Sequence, residues 1–123
     1  MFKPAIAGMG SEMAEERLKT IIRVQAALRQ GSALGRPGMV LHKGDADAGG
    51  VLVLLRGREG LIVLSQTRDR GGALAWLRAL GDKPLDEASI DAYVGKQRRF
   101  DPDLWVIEFE APDYCPPFAA NIL

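Results

Sequence analysis

Val51-Leu52-Val53-Leu54-Leu55 constrains the fold of this chain more than any other run in it. Successive side chains of a strand point to opposite faces, so five apolar, largely β-favouring residues in a row put hydrocarbon on both sides. Such a strand belongs in the middle of a sheet. A second apolar run, Leu61-Ile62-Val63-Leu64, follows after Gly57-Arg58-Glu59-Gly60. A short glycine-flanked link between two such runs predicts an antiparallel pair.

The rest of the chain is read around that pair. A helix is expected from Ser11 to about Gln30, with Ser11 as cap, a stripe of Leu18, Ile21, Ile22 and Leu28, and Gly31 and Gly35 as stops. Met39 to Lys43 reads as a short strand, followed by the turn cluster Gly44 to Gly50. Ala73 to Leu80 is ambiguous, and a fourth strand is favoured over a short helix. Leu85-Asp86 with Ile90 is an N-cap with a hydrophobic staple, and it predicts a second helix that ends before Pro102. Leu104 to Glu110 alternates as a half-buried strand, with Trp105, Ile107 and Phe109 toward the core. Short connections then predict an α+β domain of order α-β-β-β-β-α-β. Its sheet is expected to be a mainly antiparallel meander of about five strands, with both helices on one face.

A chain of 123 residues makes one domain and buries roughly two-thirds of its unfolded surface. Residues 1–10 are expected to be a mobile segment, and 11–123 a single domain with an irregular tail from about 111. Sixteen basic and sixteen acidic side chains cancel, so no global field draws the protein to nucleic acid or an acidic membrane. No window approaches the roughly eighteen apolar residues of a membrane helix. The apolar stretch before Gly10 is too short for a signal peptide. A cytoplasmic location is expected. The single cysteine, Cys115, beside Pro116 and Pro117, forms no intrachain disulfide and reads as an inert thiol.

Candidate chemistry is sparse. His42 is the only histidine, so no multi-histidine metal site forms within one chain. Asp45-Ala46-Asp47-Ala48-Gly49 opens like a calcium loop, but Arg56 stands where the bidentate glutamate belongs. Aspartate and glycine are also what a turn requires, and that reading is preferred. Lys43, Arg56, Arg58, Arg68 and Arg70 fall at or beside turns, with Arg78 on the fourth strand and Arg98 on the second helix. Gathered at one end, such groups bind phosphate oxygens, but Asp45, Asp47, Glu59 and Asp69 lie in the same turns, and a solvated, internally paired loop surface is preferred. Asp101-Pro102-Asp103-Leu104-Trp105 pairs two carboxylates around a proline, for acid-base or metal work, or as a rigid corner with Asp103 bonding backbone amides. The corner is preferred. Trp76, Tyr93 and Trp105 are expected to be structural anchors.

Several runs together resemble a known bacterial family, the domain of unknown function fourteen-ninety-one. They are Arg23-Val24, Leu28-Arg29, the block Lys43 to Gly49, Arg68-Asp69, Trp76 with Arg78, Asp91-Ala92-Tyr93, and the block Gln97 to Glu108. The resemblance covers about Arg17 to Glu110. The tail from Ala111 to Pro117 departs from the acidic, arginine- and glycine-containing continuation of that family. The resemblance implies a small stand-alone bacterial cytosolic protein and no particular activity.

The residues read best as a non-enzymatic binding or interaction module without cofactor. A homodimer is expected, formed through an uncovered sheet face or through the apolar tail Phe118 to Leu123. Two alternatives stand beside it. One is a binder of a phosphorylated ligand or nucleic acid through the turn arginines. The other is a metal-assisted hydrolase using Asp45, Asp47, Asp101 or Asp103. The candidate ligand-binding set is Lys43, Asp45, Asp47, Arg68, Arg78, Arg98, Asp101 and Asp103; the small-molecule or protein partner is not specified, and nucleic acid is not favoured.

Overall fold

The computed structural model describes residues 18–123. Helix α1 spans Thr20–Ala33 and strand β1 Gly38–His42, followed by β2 Val51–Gly57, β3 Gly60–Arg68 and β4 Leu74–Arg78. Helix α2, Glu87–Phe100, leads into β5, Trp105–Glu110. The ambiguous segment after Gly72 is thus a strand. The expected cap at Ser11 and the segment 1–10 lie outside the described residues.

The five strands lie in the order β1-β5-β2-β3-β4. The sheet is mixed, which corrects the expected mainly antiparallel meander. β2 pairs with β3, β3 with β4 and β1 with β5 in antiparallel fashion, while β2 and β5 run parallel, with Val53 opposite Ile107. The chain leaves a gap one strand wide between β1 and β2, and the last strand fills it. The link from His42 to Val51 is long enough to step over a neighbour, whereas a two-residue hairpin would have forced β1 against β2.

Central placement explains why β5 is not half-buried. Trp105, Ile107 and Phe109 join Val51, Val53, Leu55, Ile62, Leu64 and Trp76 on one face, under α1. Leu104 and Val106 join Leu52, Leu54, Leu61 and Val63 on the other, under Ile90 and Val94 of α2. The helices therefore lie on opposite faces. A two-sided apolar sheet needs cover on both sides, and the expectation of both helices on one face is overturned.

α1 meets the sheet through Val24, Ile21, Ala27 and Leu28, while Leu18 and Ile22 of the expected stripe are exposed. The helix also runs through Gly31. A Cβ at that position would sit 2.7 Å from the Arg36 carbonyl and 2.8 Å from the Phe109 ring. Gly31 is a contact residue, and the helix ends two residues later. α2 follows its sequence signals. The Asp86 carboxylate accepts from the Ser89 N–H at 2.9 Å, and hydrogen bonding from the Ser89 side chain and then its N–H holds it below the usual carboxylate range. Phe100, at the far end, is exposed.

The tail packs back on its own chain. The Trp76 N–H donates to the Asn121 carbonyl and the Leu123 N–H to the Trp76 carbonyl, so 121–123 bridge the outer edge of β4. Phe118 packs against Trp76 and Phe109, with ring centroids 5.8 and 5.4 Å apart. Arg36 grips Asp113 with two bonds of 2.6 and 3.0 Å, tying the tail to the turn after α1. That guanidinium, with the Cys115 N–H, holds the Asp113 carboxyl down at about 2.

Candidate functional site

The two distinctive sequence blocks meet. The loop 43–50 lies against the corner 101–104 at the end of the sheet where β5 begins. The Asp45 N–H donates to the Asp103 carbonyl at 2.9 Å, the Trp105 N–H to the Gly50 carbonyl at 2.9 Å, and the Trp105 indole N–H to the Asp45 carbonyl at 2.7 Å. The approach is so close that a Cβ on Gly44 or Gly49 would collide with the Asp103 carbonyl.

The same loop receives the start of α1. The Thr20 and Ile21 N–H groups donate to the Asp47 and Ala46 carbonyls at 3.2 and 3.0 Å, and the buried Thr20 hydroxyl donates to the Gly49 carbonyl at 2.8 Å. Helix-initial N–H groups have no partner within the helix, and loop carbonyls supply one here in place of a side-chain cap. Sequence reasoning missed Thr20 because it started the helix at Ser11. The available signal was a threonine directly before the apolar periodic residue Ile21.

Two carboxylates of this junction, Asp45 and Asp101, serve the backbone. Asp45 Oδ2 accepts from the Asp47 and Ala48 N–H groups at 3.1 and 2.8 Å. Asp101 Oδ1 accepts from the Asp103 N–H at 3.1 Å. The expected corner is thus held by the Asp101 side chain, with Asp103 contributing its backbone, the reverse of the role expected of Asp103. Asp47 reaches the exposed Lys19 at 3.6 Å, and Lys43 is exposed nearby. Among the described residues, no three His, Cys, Asp or Glu side chains group as a metal site requires.

The basic residues do not converge. Arg68 lies at the end of β3 and donates to the Gly72 carbonyl at 3.0 Å. Arg78 stands opposite Leu64 on the α1 face, and Arg98 is on α2 across the sheet. Arg56 points to the α2 face, where it donates to Glu108 at 2.9 and 3.3 Å and pairs with Glu87 in the first turn of α2. Those carboxylates, Glu108 foremost, raise its pKa further. Arg56 thus links β2, β5 and α2. Of the expected anchors, Trp76 and Trp105 are buried and Tyr93 is partly buried, with its hydroxyl pKa raised by burial.

The concavities are shallow. One of about 250 Å³ lies beside the junction, between Ser65, Gln97, Phe100 and Asp101. Another of about 310 Å³ lies under the tail, by Asp69, Trp76 and Asn121. Neither gathers a nucleophile with a base or a set of cations.

The sheet edges differ. The outer edge of β4 is covered by the tail. β1 is the other edge, and Met39, Val40 and Leu41 on it are 57, 40 and 40 % exposed. Gly38 to Leu41 carries no charged residue. Proteins usually blunt an exposed edge strand with charge, proline or a bulge. Here Pro37 precedes the strand, and a register shift falls between Val40 and His42 at its end.

Among the described residues, fold and surface define an α+β domain with a mixed sheet, one helix on each face and one edge, β1, that no described strand pairs. The chain belongs to the family described as Protein of unknown function (DUF1491), whose profile it matches over residues 18–119. The match runs past Glu110 and so takes in most of the tail that had looked divergent. A crystal structure of a DUF1491 family protein from Caulobacter crescentus CB15 is 33% identical, with a TM-score of 0.76 over 86% of this chain and 99% of that one. An NMR structure of a DUF1491 family protein from the same organism is 31% identical, with a TM-score of 0.74 over 87% of this chain and 97% of that one. Protein Atu0922 from A. tumefaciens shares the fold at 24% identity, with a TM-score of 0.70 over 87% of this chain and 97% of that one. No curated protein matches the chain.

Proposed function

We propose that this protein is a non-catalytic interaction module of the bacterial cytosol whose working surface is the outer edge of β1. The observation that carries the reading is the contrast between the edges. Among the described residues, the tail closes β4, whereas β1 keeps three exposed apolar residues and no charge to repel a strand. A bare edge offers backbone donors and acceptors to an extended segment, and side chains on either face add selectivity. The engagement of Asp45 and Asp101 with backbone N–H groups and the separation of Arg68, Arg78 and Arg98 support the edge over the aspartates and arginines as the working surface. The bacterial setting is supported by relatives of bacterial origin.

Selection of peptides displayed against the folded chain tests the reading. Binders with alternating apolar residues that lose affinity for the Val40→Lys variant support it. Binders indifferent to that change refute it.

A further inference from the structure

We infer that the strand received by β1 is β1 of a second copy, running antiparallel about a two-fold axis through Met39. The inference rests on the edge reading above and names the occupant. The register follows from which backbone groups point outward. The Glu110 N–H donates to the Pro37 carbonyl, and the pairing proceeds as Gly38 with Phe109, Met39 with Glu108 and Val40 with Ile107. Inward bonding alternates along an antiparallel pair. Pro37 and Met39 therefore direct their backbone groups to β5, and Gly38 and Val40 direct theirs away from the sheet.

Two copies satisfy these groups when Gly38 of each stands opposite Val40 of the other. Each such pair exchanges two N–H to carbonyl bonds, and Met39 meets its own counterpart between them. The strand is its own complement in shape: the branched Val40 falls opposite a residue with no side chain, and the flexible thioethers of Met39 pack together. Nor does charge set two copies apart. Residues 37–41 carry none, and the flanking Arg36 is already neutralised by Asp113. A foreign strand would need matching features of its own, whereas a second copy brings them, in the two-fold symmetry commonest among oligomers. The bulge after Val40 ends the pairing, since Leu41 is the extra residue there. The result is a continuous ten-stranded sheet with α1 and α2 of both copies on its two faces.

The test is made on the full chain carrying Cys115→Ser, so that the native thiol does not interfere. Light scattering after size exclusion is expected to give twice 13.3 kDa at high concentration, falling toward 13.3 kDa on dilution. Val40→Lys, checked by circular dichroism for an unchanged fold, is expected to give 13.3 kDa throughout. Met39→Cys is expected to form a disulfide-linked dimer under mild oxidation, because directly opposed non-bonded positions bring Cβ atoms to about 5 Å. Leu41→Cys, out of register with its counterpart, is expected to crosslink far less. A wild-type mass of 13.3 kDa at every concentration overturns the inference. So does a dimer that survives Val40→Lys, or one that crosslinks equally through both cysteines. If the wild type is monomeric but displayed peptides still bind in a Val40-dependent way, the occupant is wrong and the edge reading stands.

Discussion

The indole N–H of Trp105 donates to the backbone carbonyl of Asp45 at 2.7 Å, across sixty positions of sequence. One side chain thus both fills the α1-side core and fastens the loop that receives the start of α1. Trp105→Ala is expected to cost about 3–5 kcal/mol, as for other buried aromatic truncations. Trp105→Phe keeps most of the bulk and loses the bond, for about 0.5–1.5 kcal/mol. Urea titration of both variants measures the difference. A Trp105→Ala protein as stable as wild type would place this tryptophan outside the core.

Asp45 makes a matched test of the calcium-loop reading. Its carboxylate already serves two backbone N–H groups of its own turn. Millimolar calcium is expected to leave the melting temperature unchanged. Asp45→Asn, which keeps the acceptor oxygen, should melt close to wild type, and Asp45→Ala should lose about 1 kcal/mol. A calcium-dependent rise of several degrees that disappears in Asp45→Ala would contradict the structural role.

The Arg36 to Asp113 pair gives a pH signature. The folded carboxyl titrates at about 2, below its ordinary 3.8, so its contribution is complete above the unfolded value and is lost as pH falls through the folded one. The difference in melting temperature between wild type and Asp113→Asn should be constant at neutral pH. It should shrink below about pH 4 and vanish only below the folded pKa. Both partners are partly exposed, so added salt should reduce the difference as well. A gap that persists undiminished at the acid end would mean that another interaction holds the tail.

Two helical glycines should respond oppositely to alanine. Gly95, in α2, has nothing closer than an Arg99 guanidinium nitrogen at 4.0 Å, so Gly95→Ala should stabilise by about 0.5–1 kcal/mol through the unfolded chain and helix propensity. Gly31→Ala gains the same propensity, but it drives a methyl group into the Arg36 carbonyl and the Phe109 ring. It is expected to lower the melting temperature. Equal effects at the two positions would show that α1 can lift from β5 at no cost.

Local signals were legible where local chemistry decides. Asp86 caps α2, the Leu85 to Ile90 spacing is a staple, and the apolar runs at 51–55 and 61–64 pair as their link requires. What the sequence hid is non-local. Nothing in Trp105 to Glu110 says that its neighbour is a parallel strand fifty residues back. Its Glu108 looks like a solvent-face residue until Arg56 is seen beside it. The site residues show the same division. Asp45 and Asp101 are recognisable as turn formers, but their meeting through the Asp103 carbonyl depends on the sheet order. Gly31 reads as a stop by composition because the ring that excludes a side chain there belongs to Phe109.

The position of β5 also orders events during synthesis. Among the described residues, four strands and two helices precede it along the chain, and β1 pairs with no other strand. An N-terminal fragment emerging from the ribosome holds the β2 to β4 ribbon with its apolar flank exposed and a loose β1. The five-stranded sheet is complete only when Trp105–Glu110 enters the slot between β1 and β2. Completion of the sheet strictly from the N-terminus is closed to such a topology, and a nascent chain stalled before Trp105 is expected to expose the flank of β2 that β5 covers.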